Sequence, residues 1–119
     1  MENAQQHIMQ GLEHKENGNH KAAITEFNKA LELDSKNEDA YAFRGGSFGS
    51  LGEWDKAIAD YTQAIDLNQR DENYVSRGIA YFMAGKHTEA RPDFEEALRL
   101  NPENINAKAA LAELVKIGC

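Results

Sequence analysis

At 119 residues, with 41% hydrophobic and 28% charged side chains, the chain has the size and composition of one globular, water-exposed domain. Twenty acidic against thirteen basic residues leave a net charge of −7, a surface that repels polyanions and argues against nucleic acid as a partner. No apolar run is long enough to span a bilayer and no basic-then-apolar leader opens the chain, so no membrane partner and a cytoplasmic setting are expected; the single cysteine, Cys119, supplies neither an internal disulfide, nor a multi-cysteine zinc site, nor a buried nucleophile.

The elements repeat along the chain. Ala23, Phe27, Ala30, Leu31 and Leu33 return as Ala57, Tyr61, Ala64, Ile65 and Leu67, and again as Ala90, Phe94, Ala97, Leu98 and Leu100, steps of 34 and then 33 residues (23 to 57 to 90). A period of that length marks stacked supersecondary units rather than a domain built around a catalytic cleft. The spacing predicts a first helix over 4–17, a turn at Gly18 and a second helix over 20–33; then 38–51, Gly52 and 54–67; then 71–84, Gly85 and 87–100. The polar connections DSKNED, NQRDE and NPEN separate the units, and the shorter second connection accounts for the step of 33. Pro92 falls inside the last of these helices, where its ring removes a hydrogen bond and strains the first turn.

In that register the chain resembles the tetratricopeptide repeat, whose pattern is W-x2-L-G-x2-Y, then A-x3-F, then P. Residues 71–104 carry Tyr74, Gly78, Tyr81, Gly85, Ala90, Phe94, Ala97 and Pro102; residues 38–71 carry Tyr41, Gly45, Phe48, Gly52, Trp54, Ala57, Tyr61 and Ala64 with Gln69 in the proline slot. Residues 4–37 depart furthest, with His7 and His14 at aromatic positions and Ser35 at the proline. The resemblance implies a single all-α domain over 1–119, a right-handed α-solenoid of three helix pairs closed by a capping helix over about 103–117. In the cap, Leu111, Ala112 and Val115 are expected to pack back on the third unit. Leu114 and Ile117 are expected to lie uncovered, either lightly exposed or part of a self-association patch.

Function in this family lies mainly on the concave face lined by first helices. The register assigns to it Ile8, Met9 and Leu12, then Ala42, Phe43, Gly46 and Gly49, then Val75, Ile79, Phe82 and Met83. Burying a side chain of this size stabilises by about 1.5–3 kcal/mol, so an apolar groove calls for a cover. The methionines add adaptable surface, as in grooves that accept varied apolar helices. Some of these side chains could equally complete the thin core between helices. Gly46 and Gly49, each costing about 1 kcal/mol inside a helix, suggest either a close approach by a ligand or a frayed helix.

The fold's best-known ligand is the acidic tail of heat-shock chaperones, held by a ring of lysines, asparagines and an arginine. This chain has Ile8, Leu12, Phe43, Glu72 and Ser76 at the matching places, so the chaperone-tail clamp is expected to be absent. Arg44 and Arg77 are the cations nearest the groove, and either bury their stems and pair with acids of the second helices (Glu26, Asp60, Asp93) or recognise an acidic group on a partner. The run RGGSFGSLG lacks the Lys-Ser or Lys-Thr of a phosphate loop and lies where the repeat demands helix. His7 and His14 stand about 10 Å apart along a helix, too far to share a metal. The sequence thus predicts no catalysis, cofactor or metal, but a protein-interaction module whose groove takes an apolar helix or extended segment with basic flanks, or else a self-assembling scaffold that forms a homo-oligomer.

Overall fold

Residues 2–119 are described by a computed structural model of the chain, and among them there are seven helices and no strands: α1 (Ala4–Glu16), α2 (His20–Leu33), α3 (Glu38–Ser50), α4 (Trp54–Leu67), α5 (Asp71–Met83), α6 (His87–Leu100) and α7 (Ile105–Lys116). No one of them can bury its own apolar stripe, so they stack in order into a body of 51 × 25 × 20 Å. Each first helix ends in the same turn. Gly18, Gly52 and Gly85 take φ of 78°, 77° and 79°, a backbone state that other residues resist. The next amide then folds back on the carbonyl five residues earlier: Asn19 on His14, Glu53 on Phe48 and Lys86 on Tyr81, at 2.8, 2.9 and 2.8 Å. α7 closes likewise, with Gly118 at φ 83° and the Cys119 amide on Leu114 at 2.8 Å.

Within each pair an aromatic ring presses on a glycine. A Cβ on Gly11 would lie 2.5 Å from Phe27, one on Gly45 3.0 Å from Tyr61 and one on Gly78 2.6 Å from Phe94. Ala23, Ala57 and Ala90, all fully buried, let the second helix approach as closely from the other side. Between pairs the core is thin: Ile8, Ala30 and Ala40 join the first two units, while Val75, Phe94, Ala97, Ala107 and Leu114 join the third unit to α7. α6 runs unbroken through Pro92, which sits on its solvent face.

The arginines of the second and third units lock this arrangement. Arg44 grips Asp60 with Nε and Nη2 at 2.9 and 2.7 Å, and Arg77 grips Asp93 with the same atoms at 2.8 and 2.8 Å. The third nitrogen reaches back to the preceding pair, Arg44 Nη1 donating to Asn28 at 2.9 Å and Arg77 Nη1 to Thr62 at 3.2 Å. Each guanidinium lies between two aromatic rings, Tyr41 and Phe48 for Arg44, Tyr74 and Tyr81 for Arg77. The hydrogen bond to the aspartate holds each arginine above its ordinary pKa. In the first unit a weaker version appears: Gln10, with its amide turned to donate, reaches Glu26 at 3.1 and 3.3 Å, beside His7 Nδ1 at 3.4 Å. Acids at the first position of α3 and α5 link the units again. Glu38 accepts from Arg70 and Asn73 at 2.9 and 2.7 Å, and Asp71 from Asn101 and Asn104 at 3.0 and 2.8 Å, bonds that hold the Asp71 carboxyl below its usual range.

The cap packs in a register one step off the expected one. Leu114 is fully buried and Leu111 half-buried, whereas Ala112, Val115 (67% exposed) and Ile117 (49%) face solvent. Leu114 occupies the position of Ala80 and Ser47, which points at the preceding pair. Ala112 and Val115 occupy those of Gly78 and Tyr81, which serve the second helix of their own pair, and no such helix follows α7 among the described residues.

Two stability measurements follow from this packing. Ser47 is fully buried with no hydrogen-bond partner for its hydroxyl, where the next unit has Ala80. Ser47→Ala is therefore expected to raise the unfolding free energy by about 1 kcal/mol in urea titration. Asp93→Ala leaves the Arg77 guanidinium wedged between pairs without its acceptor and is expected to cost about 3 kcal/mol, with Arg77→Lys costing less. Unchanged stability after Asp93→Ala would remove the arginine lock from this description.

Candidate functional site

The direction of curvature comes from which helices meet. α1 touches α3 and α5 touches α7, while α2, α4 and α6 make no comparable contact with one another. The first helices therefore line the inner face, as the sequence reading placed them.

Of the residues assigned to that face, the structure leaves Met9 (61% exposed), Ile79 (45%) and Met83 (55%) open, with Leu12, Phe43 and Phe82 half-buried beside them. Ile79 and Phe82 form, with Phe94, Ala110 and Glu113, an apolar hollow of about 120 Å³ between α5 and α7. A roomier depression of about 420 Å³ lies elsewhere, around Gly18, His20 and Leu51 at the unit turns, and brings no chemistry together. Phe43 rests on Phe27, ring centroids 6.0 Å apart, and presents its other side to the groove.

Three assignments are corrected. Ile8 (2% exposed) and Val75 (5%) belong to the core between units, because the fifth position of a first helix turns toward the next helix here rather than into the groove. Gly49 serves Trp54 of its own pair, for a Cβ there would lie 2.9 Å from the indole ring; the glycine admits a tryptophan, not a ligand. Gly46 does face the groove, and its missing side chain leaves room for Lys15: a Cβ would lie 3.0 Å from Lys15 Nζ and 3.7 Å from the Tyr61 hydroxyl. Arg44 and Arg77 are engaged by Asp60 and Asp93, so neither is free to meet a partner without breaking a unit contact.

Sequence reading missed Lys15 and Tyr61. Lys15 extends from α1 across the groove, its ammonium 5.7 Å from the Phe43 ring centroid, and half-burial draws its pKa below the ordinary lysine value. Burial, and then the Asp60 charge, pushes the Tyr61 phenol up to about 12, so it stays a hydrogen-bond donor. The only trace of this pair in the sequence is a hydroxyl where the other units have Phe27 and Phe94. His7, read as an aromatic substitute, is buried with Glu26 on one ring nitrogen and Glu2 on the other, at 3.4 and 3.2 Å. Among the described residues no three His, Cys, Asp or Glu side chains converge as metal ligands would, and no helix is long and apolar enough to cross a membrane.

Comparison with known proteins supplies the setting. Tetratricopeptide repeat models match residues 38–71 and 73–104, and a model described as TPR repeat matches residues 11–52. DnaJ homolog subfamily C member 3 of Gallus gallus is 34% identical over 94 residues, 79% of this chain but 19% of the relative, so the chain spans a small part of that protein. The first TPR of Spaghetti (RPAP3), bound to HSP90 peptide SRMEEVD, superimposes with a TM-score of 0.91 at 27% identity, covering 96% of this chain and 91% of that one. The second TPR domain of human RPAP3, in complex with HSP70 peptide SGPTIEEVD, gives 0.87 at 26% identity, covering 94% and 98%.

These two structures overturn the exclusion of chaperone tails. That exclusion weighed five side chains alone, whereas domains with the backbone of this one hold acidic chaperone peptides. The groove also contains a cation, Lys15, that the five positions left out of account. The matches together run from residue 11 to residue 104, two of them over the second and third helix pairs and one from α1 through α3, and the chain belongs to the tetratricopeptide repeat family.

Proposed function

We propose that the chain is a non-enzymatic protein-interaction module that takes an apolar helix or extended peptide segment against α1, α3, α5 and α7. The observation that carries the reading is the apolar set of exposed Ile79 and Met83 with half-buried Phe82, of which Ile79 and Phe82 line the hollow at Ala110. Each such side chain gains about 1.5–3 kcal/mol on full burial, and a partner side chain seated there supplies it. Phe43 and Met9 extend the surface toward α1. Asp39 and Glu72, at corresponding places in α3 and α5, give the rim an acidic edge that favours basic residues flanking the bound segment. Acidic tails of the kind held by the RPAP3 domains are within the range of candidate ligands. The free Cys119 thiol suits a reducing compartment, and the cytoplasm is the proposed setting.

A second reading, assembly of this chain with itself, is favoured by one observation: Val115 (67% exposed), at the position of Tyr81, lacks the helix that the repeat pattern would place over it, and Ile105 and Ile117 at the two ends of α7 are exposed as well. A scaffold role would run through that surface rather than the groove.

The test is selection from a random peptide library displayed on a carrier, followed by affinity measurement on the selected peptides. Binding is expected to fall by about 10-fold or more with Phe82→Glu and with Phe43→Glu, at unchanged helix content by circular dichroism. Undiminished binding by both variants would move the site off the inner face, and a mass that rises with concentration while no peptide is enriched would favour self-assembly.

A further inference from the structure

Most side chains facing the groove are apolar, acidic or already paired, but two donors are neither paired nor turned away. Lys15 crosses from α1 to α3 and meets no carboxylate among the described residues, although the chain carries a net charge of −7; its neighbour of note is the Phe43 ring. The Tyr61 hydroxyl comes through from α4 behind α3 and has no hydrogen-bond partner among the described residues. Both converge on the gap that Gly46 leaves in the helix surface, Nζ and hydroxyl standing 3.0 and 3.7 Å from the place a Cβ would fill. Asp60, the carboxylate beside Tyr61 in the chain, is unavailable to either because Arg44 holds both of its oxygens.

A half-buried ammonium without a counter-ion has lost part of its hydration and gained only the Phe43 ring in exchange, so an anion delivered to it meets less competition from water than one at a solvated lysine. The ammonium can stand against α3 there only because position 46 is glycine. Alanine or a larger residue would fill the gap and push the ammonium aside.

We propose that the gap at Gly46 is a subsite for one carboxylate, the Asp or Glu side chain of a bound peptide, which Lys15 and the Tyr61 hydroxyl hold together. The proposal rests on the peptide-binding reading above and sharpens it: the ligand carries an acidic residue at mid-groove next to an apolar one that covers Phe43, with its basic flanks kept outside, at the Asp39 and Glu72 rim. A carboxylate fits because it accepts from both donors at once, with the Phe43 ring walling off water on one side. Neither donor belongs to the five places at which the chaperone clamp was sought.

The same display selection decides the matter, with the peptides fused to the carrier through their C-termini so that only side chains offer a carboxylate. Against the wild-type protein, one acidic residue at a fixed offset from an apolar one is expected in the selected set. Replacing that residue by its amide in a synthetic peptide, also amidated at its C-terminus, should weaken binding about 10- to 100-fold to the wild type. Lys15→Met keeps the apolar stem and Tyr61→Phe installs the residue of the other two units, so both should fold. In each, the same peptide change should lose much of its effect, and Gly46→Leu should abolish the acidic preference while leaving apolar selection in place.

Selected peptides without an acidic preference, or a preference that survives in Lys15→Met, would overturn the subsite and leave the groove reading intact. Failure to enrich any peptide would overturn the groove reading and the subsite with it.

Discussion

An aromatic ring seated on a glycine sets the geometry of every helix pair in this chain. The contact of Phe27 with Gly11 and of Phe94 with Gly78 leaves no room for a Cβ, and that of Tyr61 with Gly45 only a tight one, so it fixes how closely the two helices approach and how each first helix is rotated about its axis. Rotation decides which residues of that helix reach the groove. A shift of one position would exchange Ile79 with Gly78 and bury the anchors now open. The turn glycines then set the angle between helices, and the fully buried Ala30, Ala64 and Ala97, one to two turns further along each second helix, let the next unit stack closely.

Because the rings enforce short contacts within pairs, the weaker link is between pairs, where little large apolar surface is shared. That is where the polar interactions are concentrated. Arg44 and Arg77 each bind an aspartate of their own pair bidentately and one acceptor of the pair before, so a single planar side chain ties three helices. A partly buried ion pair of this kind contributes modestly relative to an apolar replacement, yet leaves a large penalty if one half is lost, which makes it a device for holding register rather than a source of net stability. The first unit has Gln10 and His7 on Glu26 instead, a softer arrangement with longer contacts.

Much of this was legible in the sequence because it is repeated. The glycine turns, the A-x3-F spacing, the alanine rows and the pairing of each arginine with an acid of its second helix all recur, and recurrence separates a structural demand from an accident. Much of what was not legible occurs once. Gly49 looked like room for a ligand because nothing in linear order links it to Trp54, five residues on and around a turn, whose ring it admits. Ile8 and Val75 were placed in the groove because a helical wheel cannot say how wide the contact with the next helix is. α7 was misread by one step because Ala112 and Val115, which stand at the positions that serve a second helix, were expected to pack back on the third unit, a contact that Leu114 makes instead. The chaperone-tail exclusion failed for a related reason: absence of five side chains says nothing about other donors the same backbone can bring together.

The Lys15 and Tyr61 pair shows how an interaction site can arise within a repeat without disturbing it. Tyr61 does the packing of a phenylalanine, its ring against Gly45, and the added oxygen emerges on the groove side only because the ring enters from behind α3. Gly46 costs helix stability relative to alanine and contributes no packing of its own, which separates it from Gly45 beside it. The structural repeat accounts for the ring, for Gly45 and for the turn at Gly52; it does not account for the hydroxyl, for Gly46 or for a cation left without an anion. Departures from the repeat that carry a cost and converge in space are where binding chemistry is to be sought on a scaffold whose regular positions are committed to stacking.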